Sequence, residues 1–120
     1  MDAVELNLVV IRVRDIGVAG KFYTALGLTF AEHSHGTGPQ HLSTTGGPVV
    51  VEIYPATSEV DETRNIRIGF VIEDIERAVE AAIDAGGQLL AKPKASEWGL
   101  RAILMDPFGN KVELIERNDP

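Results

Sequence analysis

The sequence predicts an α+β fold of two tandem βαβββ modules, on three observations. A strand, a helix and three further strands can be read twice along 120 residues. Laying Asp15-Ile16 on Asp74-Ile75 aligns Ile11 with Phe70, Val13 with Ile72, Ala19 with Ala78 and Gly27 with Gly86. Near the end of each copy, Val51-Glu52-Ile53 aligns with Val112-Glu113-Leu114. An internal repeat at half the chain length means two copies of one supersecondary unit. Each copy has one amphipathic helix, able to cover one face of four strands. The other face must be covered by something else or be hollow.

In the first copy LNLVVIRV, residues 6–13, is β-rich and ends at Arg14-Asp15. Asp15 is a helix N-cap, the helix runs to about Leu26, and Gly27 supplies the stop. Gly17 and Gly20 weaken that helix by up to about 1 kcal/mol each relative to alanine, so packing must hold it. Strands follow at Leu28–His33, His41–Thr45 and, after the turn Gly46-Gly47-Pro48, Val49–Tyr54. In the second copy IRIGFVIED is a strand, Asp74 the N-cap, Ile75–Ala85 the helix and Gly86-Gly87 the stop. Strands then fall at Gln88–Lys92, Leu100–Met105 and Lys111–Glu116. Before the last strand, Asp106-Pro107-Phe108-Gly109-Asn110 reads as a turn, with proline presetting φ and Gly-Asn tolerating left-handed backbone. The expected division is one domain, 1–120, with modules at 4–55 and 66–117 and a polar, acidic linker at 56–65.

Composition excludes several classes. The net charge of −7 argues against nucleic acid, whose phosphates need a concentrated basic surface. The apolar runs are far shorter than a membrane span, and MDAVELN has no basic n-region, so neither membrane nor secretory signal is expected. Cysteine is absent, which removes thiolate ligands, thiol nucleophiles and disulfides and suits a reducing cytoplasm. There is no defensible Ser-His-Asp arrangement, no G-x-G-x-x-G and no P-loop.

Candidate chemistry comes from alternation along the strands. Glu113 sits amid Lys-Val-Glu-Leu-Ile-Glu, with Val112 and Leu114 on one face and Lys111, Glu113 and Ile115 on the other. Such a carboxylate belongs either to an edge strand meeting water or to a strand lining a cavity. Tyr54, two residues after Glu52, shares its face, and Val10 and Arg12 share that of Leu8. His41 starts a strand and could serve as a hydrogen-bond donor or a base. His33-x-His35 has a spacing able to bind metal, but Ser34, Gly36, Thr37, Gly38 and Pro39 read as loop. Trp98 is either a core or interface aromatic or a cavity wall.

The pattern D-I…F-Y-x-x-L-G-L at Asp15-Ile16…Phe22-Tyr23-Thr24-Ala25-Leu26-Gly27-Leu28, with D-P-x-G-N-x-x-E-L at Asp106–Leu114, resembles the vicinal oxygen chelate superfamily. That group includes glyoxalase I, bleomycin-resistance proteins, fosfomycin-resistance enzymes and extradiol dioxygenases. The resemblance runs from about Leu6 to Arg117. It implies a curved mixed sheet around a cavity with helices on its outer face, a small organic ligand and a homodimer.

In metal-using relatives four strand positions supply ligands, and these fall on Leu8, Glu52, Arg67 and Glu113. Glutamate stands at both last-strand positions, whereas Leu8 and Arg67 stand where histidine is usual. Leucine has no lone pair, and a guanidinium is permanently cationic and donates only N–H. If Glu52, Glu113 and Arg67 share one cavity, Arg67 replaces the metal as counter-charge. The resemblance therefore implies a metal-free binding or sequestration protein with no cofactor, with Arg67, His41, Tyr54, Trp98, Leu8 and Arg12 around its ligand. One alternative is a metal-dependent lyase, isomerase or dioxygenase using Glu52, Glu113 and a substitute ligand such as His41. Another is metal-free catalysis with Glu52 or Glu113 as general base.

Overall fold

A computed structural model describes residues 3–34 and 36–117. Each module folds around a short capped helix. In the first, β1 (Leu8–Val13) leads to α1 (Ile16–Ala25), then β2 (Phe30–His33), β3 (His41–Thr44) and β4 (Val50–Pro55). In the second, β5 (Arg67–Ile72) leads to α2 (Ile75–Asp84), β6 (Gln88–Ser96), β7 (Gly99–Met105) and β8 (Lys111–Glu116). A single 3-10 turn at Glu59–Asp61 interrupts the connecting stretch. Asp15 and Asp74 cap their helices alike, accepting from Val18 N at 3.1 Å and Arg77 N at 3.2 Å.

The strands form two four-stranded sheets, β1-β4-β3-β2 and β5-β8-β7-β6. In each, the first and last strands of the module run parallel, Leu8 beside Val50 and Arg67 beside Lys111, and the remaining pairs are antiparallel. The α+β, two-module architecture is the one expected, but the eight strands do not merge into a single curved sheet. No strand pair joins the modules among the described residues, and neither sheet is closed on itself. The modules meet through side chains instead. Ile11, Val13, Phe22, Tyr23 and Ile53 from one belong to the same buried cluster as Ile75, Val79, Leu104, Val112 and Leu114 from the other, and α1 packs against α2.

Packing explains why α1 tolerates its glycines. A Cβ at Gly20 would lie 2.8 Å from Leu42 Cδ1, so glycine leaves room for the Leu42 side chain of β3 against the helix. The loss of about 1 kcal/mol per glycine is outweighed by complete burial of Phe22 and Tyr23, about 1.5–3 kcal/mol for a large apolar side chain. The β6 strand runs past the expected end at Lys92 to Ser96 and passes through Pro93. It is an edge strand, and its register against β7 shifts on either side of Ala91, which accommodates a residue with no N–H to donate.

The Asp106–Asn110 turn does more than reverse the chain. Asp106 Oδ1 accepts from Phe108 N at 2.8 Å and Asn110 N at 2.9 Å. Its Oδ2 accepts from the Tyr23 hydroxyl at 2.6 Å and Asn110 Nδ2 at 3.2 Å. Asn110 in turn accepts from Ile66 N and donates to Thr63 O. One buried carboxylate thus ties α1, the connecting stretch and the start of β8 together. Burial first, and Asp106 second, push the Tyr23 hydroxyl far above the ordinary phenol range.

Candidate functional site

Strand alternation places every charged candidate on the sheet faces that the helices leave bare. In β1 and β4 the residues Ile11, Val13, Val51 and Ile53 turn to the core, so Leu8, Val10, Arg12, Glu52 and Tyr54 take the other side. In β5 and β8 the partly buried Ile68, Phe70 and Ile72 and the buried Val112 and Leu114 face the core, leaving Arg67, Gly69, Val71, Lys111, Glu113 and Ile115 outside.

On the first bare face a row crosses all four strands. Arg12 pairs with Tyr54 between β1 and β4, and its guanidinium lies 5.2 Å from the Tyr54 ring centre. The Tyr54 and His41 rings stack, with centres 4.1 Å apart and planes 8° from parallel. His33, opposite His41 in register, continues the row at 5.8 Å. His41 is buried by these neighbours, and its Nε2 lies 3.8 Å from Glu52 Oε2. Arg12 also stands 3.8 Å from Asp61. Leu8, on the edge strand, is 46% exposed.

The second bare face is a charge cluster. Arg67 donates from Nε at 3.2 Å and Nη2 at 2.7 Å to Glu113 Oε1, and Arg101 Nη2 donates to the same oxygen at 2.7 Å. Bonds to Arg101, then to Arg67, hold the Glu113 carboxyl below the usual carboxylate range, and Glu113 in turn raises the Arg101 guanidinium. Arg101 is absent from the sequence-based site. The repeat carries a signal for it, because His41 and Arg101 both lie two residues along their strands from the residue opposite the module's glutamate.

The structure therefore brings Arg67 to Glu113 but leaves Glu52 in a separate group with His41. The two glutamates lie on different sheets of the chain, so the shared Glu52–Glu113–Arg67 cluster does not form within it. Trp98 sits in the β6–β7 turn, 62% exposed. His35 lies outside the described residues. A cleft of about 590 Å³ opens between the end of α1 and the β5–α2 junction, lined in part by Leu26, Leu28, Phe70, Asp74 and Arg77, and contains none of the expected site residues.

No group of three or more His, Asp or Glu is placed to hold a metal ion among the described residues. The oxygen of Glu113 nearest its neighbours is already occupied by two guanidiniums, which would repel a cation and compete for the same lone pairs.

A family model described as the Glyoxalase/Bleomycin resistance protein/Dioxygenase superfamily matches residues 5–114. No significant match is found among curated proteins. Among solved structures, the chain is similar to TnmS3, an antibiotic binding protein from a Streptomyces species, at 20% identity and a TM-score of 0.74, covering 98% of this chain and 99% of that one. It is also similar to a glyoxalase/bleomycin resistance protein from Albidiferax ferrireducens, at 23% identity and a TM-score of 0.72, covering 93% and 98%. A glyoxalase/bleomycin resistance protein/dioxygenase family enzyme from Burkholderia phytofirmans matches at 23% identity and a TM-score of 0.71, covering 95% and 99%. At these identities the likeness is one of fold.

Proposed function

The chain belongs to the glyoxalase/bleomycin resistance protein/dioxygenase superfamily, and from that premise we propose that it binds a small organic molecule without a metal ion. The observation that carries this reading is the double guanidinium clamp on Glu113. A metal site of the kind that the metal-using relatives carry would need that carboxylate free and imidazoles beside it. Here Arg67 and Leu8 stand in the imidazole positions. The antibiotic-binding description of a structural neighbour supports ligand binding as the activity.

The same clamp disfavours Glu113 as a general base, since two cations stabilise its ionised form and make it a poor proton acceptor. We propose further that the protein works as a cytoplasmic homodimer. The strands β1, β2, β5 and β6 each have an unpaired edge within the chain. Leu8, Val10 and Val71 expose apolar surface on the bare faces, and a second copy would cover it and enclose a ligand.

Elemental analysis of protein purified without chelator, combined with light scattering, tests both statements. No stoichiometric Ni, Zn, Mn or Fe and a dimer mass are expected. One tightly held metal ion per chain would overturn the metal-free reading.

A further inference from the structure

The bare face of the second sheet is positive on a chain that is strongly negative overall, at −7. Register places the charges. Arg67 sits beside Lys111 across β5 and β8, and Lys94 sits opposite Arg101 across β6 and β7. Glu113 is the carboxylate that β8 adds to this face, since Glu116 turns to the helix side and accepts from Ile75 N. Like charges directly opposite each other weaken an antiparallel pair, so the Lys94–Arg101 opposition adds positive charge at some cost to the sheet.

Gly69 gives this face a hollow. It is the register partner of Glu113, with Arg67 and Val71 two residues away on either side. A Cβ there would meet only the Glu113 carbonyl oxygen, at 3.9 Å, an ordinary contact. Its backbone is not among the left-handed positions. Neither crowding nor conformation demands glycine, and a β-branched residue would suit the strand better. What glycine provides is bare backbone beside Glu113, the carboxylate that both arginines hold. Those arginines spend three N–H bonds on one carboxylate oxygen, which leaves most of their donors unused, and their side chains are 46% and 33% exposed.

We infer that the hollow over Gly69 receives the anionic group, a carboxylate or a phosphate monoester, of the small organic ligand, with Arg67 and Arg101 as its donors. This rests on the small-molecule reading above and assigns the chemical class of the ligand. Paired guanidiniums present planar forks of N–H donors that match such anions. Lys94 and Lys111 add longer-range attraction, and Val71, Ile103 and Ile115 offer apolar surface to the rest of the molecule.

The test is a proton–nitrogen NMR titration of the intact protein with benzoate and phenyl phosphate, against neutral benzamide and phenol. Both anions should bind about tenfold more tightly than their neutral partners, the gain of a charge-assisted bond, and should weaken as salt is raised. The ratio of the two anion affinities distinguishes carboxylate from phosphate. Arg101→Gln should remove that preference, and Gly69→Val should remove it by filling the hollow. Lys94→Gln, a change at the sheet edge, should reduce anion binding about threefold by lost long-range attraction, and it keeps the test open if Arg101→Gln loses the native spectrum. Equal binding of neutral and anionic probes, or a preference that survives these substitutions, overturns the inference while small-molecule binding stands. Failure of every probe, neutral ones included, overturns both.

Discussion

The two modules share a core and differ on their bare faces. Core-facing positions align in kind: Ile11 with Phe70, Val13 with Ile72, Val51 with Val112, Ile53 with Leu114, all buried or partly buried. The opposite faces do not. Leu8 aligns with Arg67, Val10 with Gly69, and His41 corresponds to Arg101, although Glu52 and Glu113 are retained. The first face is an aromatic and imidazole row, the second a cationic hollow. Packing constrains one side of each sheet to one chemistry and leaves the other free to diverge, so the function is to be sought where the repeat fails.

The helices differ too, and the largest expected effect comes from there. The residues of α2 that align with Phe22 and Tyr23 are Ala81 and Ala82, so only α1 sends an aromatic hydroxyl into the other module. Asp106→Ala strips the acceptor from Tyr23, Phe108, Asn110 N and Asn110 Nδ2 together. It should lower stability by at least about 3 kcal/mol in urea unfolding, because buried donors would be left unsatisfied. Thr45, the aligned residue before β4, is exposed, and Thr45→Ala should stay within about 0.5 kcal/mol. Equal losses from the two would erase the asymmetry.

Tyr23→Phe isolates one bond of that clasp and should cost about 1–2 kcal/mol at neutral pH. It also has an alkaline signature. The folded hydroxyl ionises far above the ordinary tyrosine value of 10.0. Its contribution is full below that value and is lost as pH rises beyond it, because the unfolded chain releases the proton and the folded one does not. Urea midpoints should therefore fall above about pH 10 in the wild type, and Tyr23→Phe should remove that part of the slope.

What could be read in advance follows the same division. The repeat, both N-caps, the helix stops and the face each strand residue takes are local or periodic, and alternation alone put Glu52 with Tyr54 and Glu113 with Lys111. The Tyr23–Asp106 bond spans 83 residues and follows no period. Arg101 reaches Glu113 only once the β7–β8 register is known, since Ile103, not Arg101, stands opposite it. The joint Glu52–Glu113 cluster was a statement about how two sheets are set against each other, which is decided by side chains of α1 and α2 packing in the middle. The run of β6 through Pro93 depended on its being an edge strand, a property of the whole sheet.

A smaller effect separates the two glutamates. Glu113 is held below the usual carboxylate value of 4.5 by Arg101 and Arg67, so its stabilisation is present above that value and is lost as pH falls through the lowered one. The midpoints of wild type and Glu113→Gln should differ above about pH 5 and converge in stronger acid. Glu52 has His41, not an arginine, within ion-pair distance. A difference between wild type and Glu113→Gln that persists unchanged into strong acid would remove this distinction between the faces.

The smallest expected effect is also the most direct comparison, because Val10 and Gly69 occupy the same place beside the module's glutamate. Val10→Gly should lose about 0.5–1 kcal/mol, the usual cost of glycine in a strand, and Gly69→Val should be neutral or gain by a similar amount. Opposite signs from the two exchanges, read as urea midpoints, would mean that the second sheet keeps a less stable residue for the space it leaves. A loss above about 2 kcal/mol for Gly69→Val would instead mean overpacking. The hollow would then be a requirement of the sheet, and the contrast between the faces would rest on the arginines alone.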